Sequence, residues 1–411
     1  MKNCFKIFSK SKKPKPEVTQ QAVKKDDEEF VTISLKIATR VIQQNLSNNK
    51  SVVCSPVSID AILSILALGV QNSTLDQLLT LLGHSDVSEL NTATSKLRAI
   101  LKVTHDDDED APKISFVNGL WLNQRFSLKA EFEKVLKDVH EADVRAVDFE
   151  NQADQVVDDV NLWAEQKTNG LIKQILSRRD INSGTLLILG NALYFKGNWH
   201  KYFKSENTKD DDFNLLNGDK IRVPMMNQWH ECFQYRASDS CQVLKMPYKT
   251  GKFLDLTKEF SMYVFLPIEK NGLPNLMNEI KLDANLFENL EVVNITHLSI
   301  PKFKFECNIA LKEPMKELGL LLPFEETCKD FTGIIDVTKP IYVCDITQKC
   351  IVETNERGTV AAAVTHNIYV SGIRDYPSPP INFVADHPFM FVIREDVSGA
   401  VLFVGTVLDP R

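Results

Sequence analysis

The sequence predicts an α+β fold: a single large domain of mixed helices and strands. Helical patterns dominate the first half of the 411 residues, and strand patterns dominate the second half. No low-complexity linker separates the two halves, and a core strand over residues 186–195 would have to pair with elements from both. Because 43% of the residues are apolar, the chain can bury a large core. One mixed domain therefore fits better than two or three small ones.

The first 28 residues are predicted to form a disordered basic extension, followed by the domain over residues 29–411. Residues 1–25 contain eight lysines and one acidic residue, Glu17, and such a composition cannot bury enough apolar surface to fold. The stretch 10–15 resembles a short nuclear-import patch, but lysine-rich patches of this length are common by chance. We therefore favour an extension without a function of its own.

In the first half of the domain, apolar stripes and caps mark the helices. The stripe from Phe30 to Ile42 predicts a helix that ends near residues 48–49. Ser55 and Pro56 combine an N-cap with a first-turn proline, so a helix should follow to Gly69, and its apolar residues on all sides predict burial. Further helices are predicted over residues 75–82, 87–103, 129–139 and 153–168, and strands over 114–122 and 144–149, while residues 52–54 form a short apolar run before Ser55.

In the second half, strands dominate. The nearly continuous apolar run 186–195 predicts a strand that is covered on both faces. Further strands are predicted over residues 243–248, 262–267, 292–298 and 303–305, with one helix over 310–318. Apolar runs then flank a segment from Glu356 to Pro380 that is a loop but could become a strand. Its first half is small and β-branched, whereas its second half contains three prolines, which cannot donate to a sheet.

Charge and cysteine content exclude several classes of function. A formal charge of -7 gives no general attraction to nucleic acid or anionic membranes. The acidic runs 106–110 and 210–212 are predicted to be solvated loop charge. The eight cysteines are dispersed without metal-ligand spacing and are predicted to be free thiols, so no metal or cofactor is expected. Without a signal-peptide pattern or a transmembrane run, the sequence predicts a protein of the cytoplasm or the nucleus.

Several spaced motifs resemble those of the serpin family, over nearly the whole chain from about residue 29 to Arg411. They are Asn191–Gly197 followed by Trp199, Phe203 and Thr208; Ser55–Ser58; Thr168–Gly170; Leu298–Phe303; and Phe383–Phe389 with Leu402–Gly405, which is similar to the plant branch. The resemblance implies three β-sheets, eight to nine helices and an exposed reactive-centre loop. It also implies a covalent acyl-enzyme complex with a protease, trapped when the cut loop inserts into the central sheet.

The resemblance also assigns roles within the loop. The hinge would comprise Glu356, Arg357, Gly358, Thr359, Val360, Ala361, Ala362 and Ala363, and Gly358 offers the backbone freedom that a hinge needs. Counting as the family does, Thr359 lies fourteen residues before the cut, which puts the reactive bond at Gly372–Ile373. Specificity would then come from Tyr369, Val370, Ser371 and Gly372. Arg374–Asp375 is the alternative bond and would suit a trypsin-like or arginine-specific protease.

The loop has the composition of a strand that can insert. Alternate residues from Thr359 to Ser371 would share one face, and this face is small at its leading end, which suits entry beneath a covering helix. No charge, glycine or proline interrupts residues 360–370. Val360 and Arg357 depart from the acidic residues that inhibitory members often carry at these positions.

These features lead to two hypotheses. The first is a monomeric inhibitor, not an enzyme, whose partner is a serine or cysteine protease. The second, motivated by Val360 and Arg357, is a non-inhibitory serpin that serves as a binding or storage protein. A hydrolase based on His387 is set aside because no nucleophile elbow is present, and this histidine is predicted to make structural hydrogen bonds. His230 and Cys232 are predicted to lie on a surface strand rather than in a metal site.

Overall fold

The chain folds as helices packed around two systems of hydrogen-bonded strands. A computed structural model describes residues 20–102, 111–170, 172–182, 184–251, 258–280, 284–335, 341–343, 346–359 and 379–411. Within them, eight α-helices are present: α1 Gln20–Ser47, α2 Pro56–Gly69, α3 Asn72–Leu82, α4 Val87–Leu101, α5 Ala130–Asp138, α6 Ala153–Lys167, α7 Leu273–Glu279 and α8 Lys312–Glu317. Short 3-10 turns cover Arg178–Asp180, Ser205–Asn207, Ala284–Phe287, Leu322–Phe324 and Phe331–Gly333.

The same described residues also contain fifteen β-strands. They are β1 Val52–Cys54, β2 Lys113–Asn123, β3 Asp143–Val147, β4 Leu187–Asn198, β5 Lys209–Asn214, β6 Lys220–Ala237, β7 Cys241–Pro247, β8 Phe260–Pro267, β9 Glu291–Pro301, β10 Phe303–Ala310, β11 Thr347–Asn355, β12 Gly358–Thr359, β13 Ile381–Val384, β14 Phe389–Glu395 and β15 Val401–Val407.

Six of these strands form one sheet, in the order β10-β11-β12-β4-β2-β3. One face carries α6, whose Trp163 ring meets Trp121 of β2 edge to face at 4.9 Å between centroids. Ala192 of β4 and Ile351 of β11 belong to this same apolar layer beneath α6. The other face packs on the main core, so the sheet is buried on both sides and its central strands are apolar, as predicted for residues 186–195.

The remaining nine strands form one continuous hydrogen-bonded network. Its order is β1-β15-β14-β8-β7-β6-β9-β13, with β5 paired to β6. The long strands β6 and β9 join two parts. One part consists of β5, β6, β9 and β13, and the other runs from β6 through β7, β8, β14 and β15 to β1. Counted separately, these two parts and the six-stranded sheet make three sheets, and both this number and the helix count are confirmed.

Several element boundaries differ from the sequence prediction. The helix expected from residue 310 begins only at Lys312, because β10 continues to Ala310 in a full ladder with β11. The acidic run 210–212 lies in strand β5 rather than in a loop, and Lys220 and Arg222 of β6 form ion pairs with it. The run 106–110 lies outside the described residues. Helix α1 begins at Gln20, within the predicted extension, so the domain boundary at residue 28 stays a prediction.

A buried carboxyl group lies in α2, which is as deeply buried as its sequence predicts. Asp60 is 1% exposed and accepts a hydrogen bond from the Ser34 hydroxyl of α1, while its Oδ2 has no partner among the described residues. Burial raises the pKa of Asp60 to about 8, against the opposing effect of the Ser34 hydrogen bond. The unfolded chain therefore releases this proton at lower pH than the folded chain, and stability should fall as pH rises from about 4 to 8.

We expect Asp60→Asn to stabilise the protein at pH 7.5 by roughly 1–3 kcal/mol, because the amide has no proton to release. The gain should vanish near pH 4, where the carboxyl is protonated in both states. Urea unfolding at pH 4, 6 and 7.5 measures this. The exposed Asp76→Asn on α3 is the matched control, and a stability difference for Asp60→Asn that does not change with pH would contradict the assignment.

Candidate functional site

The described part of the predicted hinge, Glu356 to Thr359, belongs to a tight β-hairpin. Strand β11 turns into β12 through Glu356 and Arg357, with Asn355 opposite Gly358 and Thr354 opposite Thr359. The Arg357 N–H donates to the side-chain oxygen of Asn355 at 3.1 Å, which closes the turn. Glu356 and Arg357 therefore form a turn, and the two residues that follow it, Gly358 and Thr359, lie in the sheet.

Strand β12 lies between two strands of the six-stranded sheet. On its other side it pairs with β4, with Gly358 opposite Asn198 and Thr359 opposite Gly197. Farther along, β11 and β4 meet directly as parallel neighbours at Lys349 and Ala192. The two strands thus separate at one end to admit Gly358 and Thr359, while they remain joined at the other.

Thr359 occupies a closed aromatic pocket. Its side chain is 1% exposed, and its Oγ1 lies 2.9 Å from the Tyr248 hydroxyl. Tyr248 stacks on Trp199 at 4.6 Å, and burial raises the pKa of Tyr248, so the phenol stays protonated and can donate. Gly197 makes room for this ring, because an added Cβ there would lie 2.7 Å from it. The pocket accepts a small hydroxyl side chain and no charge.

Trp199 also fixes the backbone of the turn. Its N–H donates to the Arg357 carbonyl at 2.6 Å, and its indole Nε1 donates to the Asn355 carbonyl at 3.0 Å. The Phe203 N–H donates to the Glu356 carbonyl at 2.8 Å. The motif residues that follow β4 thus hold the hinge, which explains why an aromatic residue is useful directly after the strand.

The Glu356 carboxylate ties the turn to the rest of the molecule. It lies 3.1 Å from Lys302 Nζ and accepts a hydrogen bond from Thr208 Oγ1 at 2.9 Å. Burial acts to raise the pKa of Glu356, but hydrogen bonds from its own backbone, Lys302 and Thr208 outweigh burial and leave the pKa below its ordinary value. The side chain is therefore ionised at neutral pH and anchors the hinge.

Gly358 is required by the close approach of β4. Its φ of +151° is a conformation that side-chain-bearing residues rarely adopt, and an added Cβ would overlap the Gly197 carbonyl oxygen and lie 2.7 Å from the Asn198 Cα. The need for glycine at this position is thus steric as well as conformational.

The face on which Thr359 lies differs from the sequence prediction. Directly opposite residues of an antiparallel pair share a face, so Thr359 lies on the side of Thr354, Val352 and Cys350. Val352 and Cys350 pack in the main core, whereas Ile351 packs beneath α6. Thr359, the first residue of the small face, thus lies on the side of Tyr248, and the prediction that this leading residue lies beneath the covering helix is wrong.

A buried amide lies deeper in the same sheet. Gln348 of β11 accepts from the Ser55 N–H at 2.9 Å and donates to the Ser55 carbonyl at 2.8 Å, which joins β11 to the start of α2. Cys54 and Cys350 donate to the same Gln348 oxygen. One feature of the sequence could have indicated a role for Gln348: it is a single glutamine at a buried position of an alternating strand. It gave no role to Gln348, Tyr248 or Lys302.

The rest of the predicted loop lies outside the described residues. This applies to Val360, Ala361, Ala362 and Ala363 of the hinge, to Tyr369, Val370, Ser371 and Gly372, and to Ile373, Arg374 and Asp375. Their roles stay predictions.

The residues considered for a hydrolase or a metal site, His387, His230 and Cys232, take the structural positions that were predicted for them. His387 is buried, with Nδ1 2.7 Å from Asp386 and Nε2 2.9 Å from the Pro267 carbonyl, which confirms a structural role. His230 and Cys232 lie on the predicted surface strand, β6, and the described residues contain no group of three metal-ligating side chains.

Six described cysteines are free thiols: Cys54, Cys232, Cys241, Cys307, Cys328 and Cys350. No described helix is long and apolar enough to span a membrane.

Comparison with known proteins gives consistent matches. A family model described as "Serpin (serine protease inhibitor)" matches residues 30–410. The chain is 36% identical to Serpin-Z10 of Arabidopsis thaliana over 381 residues, 90% of this chain and 95% of that protein. It is 36% identical to Serpin-Z2A of Triticum aestivum over 383 residues, 91% and 94% of the two chains. The solved structure of Arabidopsis AtSerpin1 in its native stressed conformation superposes with a TM-score of 0.81 at 33% identity, covering 93% of this chain and 98% of that one.

Proposed function

The chain belongs to the serpin family, and from that premise we propose that it inhibits a protease by trapping it as a covalent acyl-enzyme. Serpins are typically protease inhibitors, and non-inhibitory members exist. One observation carries the proposal: Gly358 and Thr359 are already paired between β11 and β4. The first step of loop insertion would therefore need no new hinge conformation.

Insertion would supply the free energy for trapping. Each further ladder hydrogen bond contributes about 0.5–1.5 kcal/mol net, so about a dozen new positions after Thr359 would give on the order of 10 kcal/mol. Residues 360–370 contain no proline or charge that would oppose this. The departure at Arg357 falls in the turn, outside the paired residues, and so does not obstruct the strand.

We propose Gly372–Ile373 as the reactive bond and a papain-like cysteine or elastase-like serine protease as the target. Tyr369 to Gly372 present small and upstream apolar side chains that such enzymes read. Arg374–Asp375 remains the alternative, for a trypsin-like or arginine-specific protease. We further propose a monomer in a reducing compartment, cytoplasm or nucleus, because the described cysteines are unpaired and dispersed.

Incubation with a panel of these protease classes should yield an SDS-resistant band with the combined mass of the two proteins. Mass spectrometry of the released C-terminal peptide should give a fragment that begins at Ile373, or at Asp375 if the alternative bond is cut. Clean cleavage without the band, for every protease that cuts the loop, would rule out trapping.

The second candidate, a non-inhibitory binding or storage protein, is favoured by Val360 and Arg357. It is separated from the first by the thermal midpoint of the loop-cleaved protein. A large rise after cleavage requires insertion, whereas an unchanged midpoint supports the non-inhibitory candidate.

A further inference from the structure

A cavity of about 460 Å³ lies on the outer side of the hinge turn. Its walls come from the turn itself, from Lys302 at the junction of β9 and β10, from Ser205 and from the residues after β15. Thr359 and Tyr248 do not line it, so it is separate from the pocket that holds the inserted hinge residue. The space is sufficient for a small ligand.

The lining carries more basic than acidic side chains. Lys302, Lys304, Arg357 and Arg411 are basic, and Glu353 and Glu356 are acidic. Lys302 pairs with Glu356 at 3.1 Å and Lys304 with Glu353 at 2.8 Å, so both acidic side chains are already neutralised by lysines.

The other two cations are not neutralised from within the cavity. Arg411 pairs with Asp409, which does not line the cavity. Within the part of the chain that the structure describes, the Arg357 guanidinium has no ion pair or hydrogen bond. Arg357 is therefore a half-buried cation of the cavity lining whose side chain has no counter-charge among the described side chains, whereas the lining lysine and glutamate side chains are paired with one another.

We propose that this cavity binds a small oxyanion of two negative charges, a phosphate group or a short dicarboxylate, with Arg357 as its principal ligand. The guanidinium offers parallel N–H donors that match the paired oxygens of such groups. Lys302, with three ammonium protons and one carboxylate partner, and the Ser205 hydroxyl would supply further donors.

An oxyanion bound in this cavity would connect the hinge turn to the β9–β10 junction. Glu356 already bridges to Lys302 from one side of the turn, and an anion between Arg357 and Lys302 would add a second bridge from the adjacent residue. The ligand would thereby resist withdrawal of Gly358 and Thr359 from the sheet. This inference rests on the hinge geometry alone and does not require that the chain trap a protease.

Calorimetric titration of the full chain in Tris-chloride, with inorganic phosphate in one arm and succinate in the other at constant ionic strength, tests the proposal. We expect saturable binding of at least one anion and a rise in thermal midpoint of about 1–2 °C at saturation. Arg357→Gln should weaken binding at least about tenfold, whereas Arg145→Gln, an exposed arginine on the edge strand β3, should not change it.

The anion that binds more tightly in the titration, phosphate or succinate, indicates which class of oxyanion the cavity prefers. Circular dichroism in the absence of anion checks that Arg357→Gln is folded, which is expected because the Arg357 side chain has no ion pair or hydrogen bond to the described residues. Binding that is equal in Arg357→Gln and Arg145→Gln, or no saturable binding of either anion, would overturn the proposal.

Discussion

Thr359→Arg is expected to leave the loop cleavable and to reduce the yield of SDS-resistant complex by more than about tenfold. Thr359 is 1% exposed and contacts the Tyr248 hydroxyl, and no acidic side chain of the described residues bonds to it. A guanidinium there would be buried without a counter-charge, at a cost of several kcal/mol, and each 1.4 kcal/mol changes the balance between trapping and release tenfold.

The measurement is the ratio of complex to cleaved inhibitor on denaturing gels, with the protease that gives the strongest band for the unmodified chain. Thr359→Ser is the matched control, because it keeps the hydroxyl that meets Tyr248 and should retain the complex. An undiminished yield for Thr359→Arg would refute the register in which Thr359 enters the sheet first.

Gly358→Ala should expel the hinge from the sheet even before a protease is met. The added methyl would overlap the backbone of Gly197, and backbone atoms in the middle of a sheet cannot move aside as a flexible side chain can. With the unfavourable φ of +151°, we expect a loss of roughly 1–3 kcal/mol from the paired hinge. The Trp199 fluorescence should change, because this indole donates to the turn.

Gly319→Ala provides the control for Gly358→Ala. Gly319 also has a positive φ, +102°, but an added Cβ there meets nothing within 4 Å. Gly319→Ala therefore adds backbone strain but no overlap of the new Cβ with neighbouring atoms. It should leave both the Trp199 fluorescence and the yield of protease complex unchanged. If Gly358→Ala behaved like Gly319→Ala in both measurements, close approach to β4 would not be the reason for glycine at the hinge.

The sequence was sufficient to predict the special backbone at Gly358 and the start of α2, because these signals are local. Glycine at 358 indicates a special backbone conformation, and Ser55–Pro56 marks the start of α2 through capping chemistry that involves adjacent residues only. The buried strand β4 was likewise predictable from its own apolar run.

The partners of the hinge were not predictable, since they come from distant parts of the chain. Tyr248 and Lys302 reach the turn only through the pairing of strands that are far apart in sequence. The face of Thr359 was assigned wrongly for a related reason. Alternation shows which loop residues share a face, but only the pairing with β11 decides which face meets α6.

For the insertion proposed above, the two pairings of β12 also indicate which existing contact between strands the loop would have to break. Continued along β11, the register would bring Val364 opposite Lys349, and continued along β4, it would bring the same residue opposite Ala192. Lys349 and Ala192 are the pair that joins β11 to β4 directly. Residues up to Ala363 could enter while that pair is intact, and Val364 is the first that must replace it. The rate-limiting barrier to insertion is therefore expected at this one pair rather than at the hinge.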